Sequence, residues 1–162
     1  MINPIKNLEK TVYELFTSKK LTLALAESCT GGSLANRLIT IPGASQYFLG
    51  SIVTYSNKLK KTLLNVPEII LKEKGAVSEE TVVAMVEGLL TRTSADFGIA
   101  LSGTAGPDGG TFEKPVGTVW IAIKRKGEEA QAWKFLIEGD RQTIIEEAGS
   151  LALEKLLEVI YE

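Results

Sequence analysis

Three adjacent side chains in AESCTGG, residues 26–32, could attack a carbonyl: Ser28, Cys29 and Thr30. The stretch follows the apolar run LTLALA and leads into the helix-like SLANRLI. A serine at a strand-to-helix junction lies where free backbone N–H groups can receive an oxyanion, and equally where a hydroxyl can cap the helix. The chain contains no histidine. Ser-His-Asp and Cys-His catalysis are therefore excluded, and a zinc site would have only carboxylates and one thiolate to draw on. Without a base to ionise it, Cys29 reads as a small buried residue. A serine nucleophile then requires a lysine base, with a pKa lowered by burial or a neighbouring cation. TYSNKLKK supplies Lys58, Lys60 and Lys61, and spacing does not choose among them. Tyr55 could move a proton or pack as a rim aromatic.

A second candidate region is SGTAGPDGGTFEKPVG, residues 102–117, with five of the 15 glycines and two of the five prolines. Gly103, Gly106, Gly109 and Gly110 could bring backbone amides to a phosphate, or could shape an elaborate turn. The pattern matches neither a P-loop nor G-x-G-x-x-G. Arg141, in EGDR, could hold a phosphate or carboxylate, or form an ion pair.

The positioning elements follow from periodicity. Residues 5–18 place Ile5, Leu8, Val12, Leu15 and Phe16 at helical spacing, and LTLALA reads as a short buried strand. Strand character returns in 46–56, DFGIALSG, TVWIAIKRK and AQAWKFLIE, the last two joined through Lys126, Gly127 and Glu128. Helices are predicted over NKLKKTLL, between Pro67 and Gly75, after the Ser78 N-cap, and after the Asp140 N-cap. Helices interleaved with about five strands, including one hairpin, indicate an α/β fold with a mixed sheet.

With 162 residues at 44% hydrophobic content, the chain suits one domain over 1–162. Basic and acidic residues number 18 and 20, and no basic, aromatic-laced groove for nucleic acid is evident. The lone cysteine, and the lack of a signal-peptide or membrane-length apolar run, point to a soluble cytoplasmic protein without a membrane partner.

Taken in order, AESCTGG, VTYSNKLKK, GAVSEE, SGTAGPDGGTFEKPVGTVW and EGDR resemble the C-terminal domain of the CinA family, also found as stand-alone PncC-type nicotinamide-nucleotide amidohydrolases. The resemblance runs from about Leu21 to the end. It implies a three-layer α/β/α domain and deamidation of nicotinamide mononucleotide (NMN) to nicotinic acid mononucleotide and ammonia, with no metal or cofactor. Matched motif by motif, it implies a catalytic set of Ser28 as nucleophile, Lys60, the lysine of YSNxxK, as its base, and Tyr55, the tyrosine of that motif, as the residue that helps pass the proton to departing ammonia. It implies substrate binding by Thr30, Gly31, Gly32, Gly103, Thr104, Gly106, Gly109, Gly110 and Arg141, and a homodimer. The N-terminal domain of full-length CinA proteins has no counterpart here, so its pyrophosphatase activity is not expected. The alternatives are an inactive nucleotide-binding or regulatory module and an amidohydrolase for another small carboxamide.

Overall fold

The apolar run at the first motif becomes β1 (Leu23–Glu27), in which every residue, Glu27 included, is buried. The computed structural model describes residues 7–162. β1 pairs in parallel with β2 (Phe48–Val53) on one side and β3 (Phe97–Gly103) on the other. β3 pairs antiparallel with β4 (Thr118–Arg125), and β4 antiparallel with β5 (Gln131–Leu136), giving the order β2-β1-β3-β4-β5. The predicted mixed, five-stranded α/β sheet is present.

Among the described residues six α-helices cover the sheet: α1 (Leu8–Lys19), α2 (Ser33–Ile39), α3 (Asn57–Leu64), α4 (Glu68–Lys74), α5 (Glu79–Thr93) and α6 (Arg141–Tyr161). Strand alternation divides the core in two. Leu23 and Leu25 of β1, with Phe97, Ile99 and Leu101 of β3, pack with Val12, Phe16, Leu34, Leu38 and Leu153 from α1, α2 and α6. Ala24, Ala26 and Ala100 face the other way, toward Leu64 of α3 and Val82, Met85, Val86 and Leu89 of α5. The crossover from β1 to β2 moves one way along the sheet and that from β2 to β3 moves back past β1. Connections of the same hand must then lie on opposite faces, as α2 and α3–α5 do.

Local signals explain most boundaries. Asp140 accepts from Thr143 N at 2.8 Å, starting α6, and Ser78 accepts from Thr81 N at 3.2 Å, starting α5. The first helix begins later than its periodicity suggests because Asn7 caps it, accepting from Lys10 N at 3.0 Å. Ile5 of that predicted helix lies outside the described residues. The second strand is also shorter than the predicted 46–56: Ala44–Gln46 forms a 3-10 turn, and Ser56 caps α3.

Candidate active site

Ser28 follows β1 directly, and its N–H still donates to Leu101 O of β3 at 3.1 Å, so the nucleophile candidate is fixed to the sheet. It occupies the next position after Ala24 and Ala26 on the face covered by α3 and α5. On α3, Lys60 and Leu64 are four residues apart and share the buried side, whereas Lys58 and Lys61 are exposed. The helix thus delivers one lysine to the sheet. Lys61 pairs instead with Glu68 at 3.0 Å.

Lys60 is 1% exposed, and its Nζ lies 2.9 Å from Ser28 Oγ, 2.8 Å from Thr54 O and 3.5 Å from Tyr55 O. No carboxylate contacts it among the described residues. Burial pulls its pKa down to about 8. A neutral amine has two N–H bonds and one lone pair. The two carbonyls match the N–H bonds, and the lone pair then meets the Ser28 hydroxyl. The protonated amine can donate to all three oxygens without moving. Cys29 is the opposite case: burial pushes its thiol up to about 11, which keeps it protonated and a poor nucleophile.

A cleft of about 210 Å³ opens over the dyad, lined among others by Ser28, Cys29, Tyr55, Lys60, Ser102 and Arg141. It lies at the C-terminal ends of the parallel strands, where strand order reverses and open α/β sheets place ligands. A larger groove of about 340 Å³ between α3 and α4, lined by Lys58, Lys61 and Lys72, contains no paired nucleophile and base.

Tyr55 and Arg141 meet at the rim. Arg141 Nη2 donates to Tyr55 Oη at 3.0 Å and Nη1 to Gly106 O at 2.7 Å, and Arg141 forms no ion pair among the described residues. The Tyr55 hydroxyl is hydrogen-bonded neither to Ser28 nor to Lys60; only its backbone carbonyl reaches the lysine.

The remaining candidates separate. Gly103 lines the cleft, and Gly106 contributes its carbonyl to Arg141. Thr104 joins the loop ends by backbone bonds, its N to Thr118 O at 2.9 Å and its O from Gly117 N at 2.8 Å. Gly109 and Gly110 are exposed outside the cleft lining, and a Cβ on Gly110 would come within 2.7 Å of Val116 N. Gly31 and Gly32 shape the turn into α2, and Gly32 takes a φ of 103° that favours glycine. Thr30 is turned inward, donating to Glu27 at 2.8 Å.

Glu27 is a site residue that the sequence reading overlooked. Its buried carboxylate accepts from Thr30 Oγ1 at 2.8 Å, Leu34 N at 2.9 Å, Ala35 N at 3.3 Å and Ser51 Oγ at 2.7 Å. The first amides of α2 are therefore occupied by an internal anion, while the Cys29 and Thr30 N–H groups donate to no backbone carbonyl among the described residues and lie instead toward the Cys29 sulfur. A lone acid closing an apolar strand just before a helix was the available signal. Ser102 was overlooked as well, although it stands on β3 in the same alternation that presents Ser28.

The model of the CinA C-terminal domain matches residues 5–160 of this chain. The chain belongs to the CinA C-terminal domain family. Its relatives include a CinA-like protein of Thermotoga neapolitana, 47% identical over 93% of this chain and 36% of that protein. A CinA-like protein of Geotalea uraniireducens is 50% identical over 86% and 33%, respectively. The CinA-family chain thus spans about a third of the length of these curated relatives. Among solved structures, the competence damage-inducible protein A from Klebsiella pneumoniae superposes with a TM-score of 0.92 at 35% identity, covering 96% of each chain. The competence-damaged protein (CinA) superfamily protein of Escherichia coli gives 0.90 at 34%, covering 96% of this chain and 90% of that one.

Proposed function

We propose that this CinA-domain chain is a metal-independent amidohydrolase that deamidates NMN through a Ser28–Lys60 acyl-enzyme mechanism. The observation that carries the reading is the 2.9 Å contact between Lys60 Nζ and Ser28 Oγ, with the amine otherwise held by backbone carbonyls. Lys60, neutral, takes the serine proton as Oγ attacks the carboxamide carbon. The carbonyl π pair moves onto oxygen, near the Cys29 and Thr30 amides, which no backbone carbonyl engages. As the carbonyl re-forms, the C–N bond breaks and Lys60 returns its proton to nitrogen, releasing ammonia. Water then adds to the ester with Lys60 again as base, and Ser28 leaves with the proton.

Arg141 is the phosphate ligand in this reading. Tyr55 and Gly106 brace its guanidinium but use only two of its five N–H donors, and no carboxylate neutralises it. Tyr55 acts through this bracing, and the proton passes by way of Lys60 alone. Ammonia release from NMN, compared with the same nucleoside lacking phosphate, tests the proposal. Turnover of NMN should be lost in folded Ser28→Ala and should weaken sharply without the phosphate. Nucleotide binding with no ammonia would identify a binding module, and equal turnover of both compounds a different carboxamide substrate.

A further inference from the structure

Ser102 is 1% exposed and lines the cleft, and its hydroxyl, which makes no hydrogen bond to protein among the described residues, is left open to the cleft rather than sealed in the core. Buried hydroxyls are normally paired because leaving one unpaired is costly. The unpartnered hydroxyls of Thr54 and Tyr47 are sealed in the interior instead, and neither lines the cleft. The Ser102 position is set by the sheet. Gly98 and Ala100 of β3 face α5, and Ser102 is the next residue on that side. β1 and β3 run parallel with Glu27 opposite Leu101, which puts Ser28 and Ser102 side by side on neighbouring strands about 4.8 Å apart. Ser28 is consequently flanked by Lys60 toward β2 and by Ser102 toward β3.

We propose that Ser102 is a catalytic hydrogen-bond donor to the oxyanion formed when Ser28 attacks. The inference rests on the acyl-transfer reading above. A carboxamide carries oxygen and nitrogen on opposite sides of its carbon. Lys60 must reach the nitrogen to return the proton, so the nitrogen lies toward β2. The oxygen then turns toward β3, where the unpaired Ser102 hydroxyl waits. Ser102 keeps its own proton throughout; its bond to the substrate oxygen shortens as negative charge collects there. Such a donor acts on the transition state more than on substrate affinity.

The test compares wild type, Ser102→Ala and Ser102→Cys in two assays, with thermal unfolding to verify that each is folded. The first measures NMN deamidation across pH. Ser102→Ala should lower kcat by about 100-fold with KM within about twofold, and the ascending limb should stay in place because the base is untouched. Ser102→Cys, a weaker donor, should fall between. The second follows phosphonylation of Ser28 by an alkyl fluorophosphonate using mass spectrometry; an O–P bond forms, fluoride leaves and Lys60 takes the serine proton. Labelling should slow at least about tenfold in Ser102→Ala, because the phosphoryl oxygen occupies the same oxyanion position. Unchanged labelling, unchanged kcat, or a KM rise alone would overturn the role. If wild type leaves NMN intact but is labelled, the substrate reading fails and the labelling ratio alone decides Ser102. A wild-type Ser28 that takes no label removes the nucleophile and Ser102's role with it.

Discussion

Gly88 of α5 packs so tightly against the end of α3 that a Cβ on it would lie 1.8 Å from Leu64 O. α3 also carries Lys60, one turn before Leu64, so a glycine on one helix sets how near the lysine on another comes to the sheet. Gly88→Ala should push α3 outward and lengthen the Lys60–Ser28 contact. The expected result is a stability loss of about 3 kcal/mol in denaturant unfolding and a fall in kcat of at least about tenfold. Full activity in this variant would show that α3 tolerates displacement.

Glu27 gives a different prediction, because its carboxylate satisfies two α2 amides and two hydroxyls at once. Glu27→Ala strands these buried donors and should cost about 3 kcal/mol. Glu27→Gln retains an acceptor oxygen but turns an NH2 toward a donor, so its loss should be smaller. Urea unfolding of the three proteins orders them, and an alanine variant as stable as wild type would contradict the capping role.

These two relationships also mark the limit of what the sequence discloses. The strands were legible because each is an apolar or β-branched run, and α5 and α6 because Ser78 and Asp140 announce them. Spacing alone did not choose among Lys58, Lys60 and Lys61, since α3 is short and mostly exposed; the YSNxxK resemblance pointed to Lys60, and the packing of Leu64 against α5 shows why that lysine turns inward. Glu27 is local to Ser28, but its partner Ser51 lies on another strand, and a contact across 24 residues has no periodic signature. Ser102 could have been inferred from alternation, once β3 was known to adjoin β1. In the glycine-rich loop 102–117, the outward position of Gly110 was not legible, because it depends on how the loop packs on Val116.

Cys29 lines the cleft beside Ser28, but burial pushes its thiol up to about 11. Below pH 10 it stays protonated, so Cys29→Ala should keep most activity, and iodoacetamide at neutral pH should inactivate slowly. Rapid inactivation in step with one alkylated thiol would assign the chemistry to sulfur.

Lys60 also links stability to pH. Its folded pKa of about 8 lies below the ordinary 10.5, so between those values the unfolded chain binds more protons than the native one. Stability should therefore rise by about 3 kcal/mol with pH across that window relative to Lys60→Met. Unfolding midpoints of both proteins from pH 7 to pH 10.5 provide the comparison; parallel curves would contradict a depressed pKa.

The absence of histidine and the amine–hydroxyl pairing together predict that deamidation survives exhaustive chelation. Activity lost on chelation and restored by one divalent ion would require a metal-activated water instead.

If neutral Lys60 takes the proton from Ser28, the pH profile of kcat/KM for NMN reveals it most directly. Wild type should show an ascending limb near pH 8, where burial has placed the amine, well below the 10.5 of an ordinary lysine. Lys60→Ala and Lys60→Arg should each lose at least about a thousandfold, the arginine because guanidinium stays protonated at any working pH. Lys58→Ala and Lys61→Ala should follow the wild-type curve. An active Lys60→Ala enzyme with its ascending limb still near pH 8 would show that another group accepts the proton.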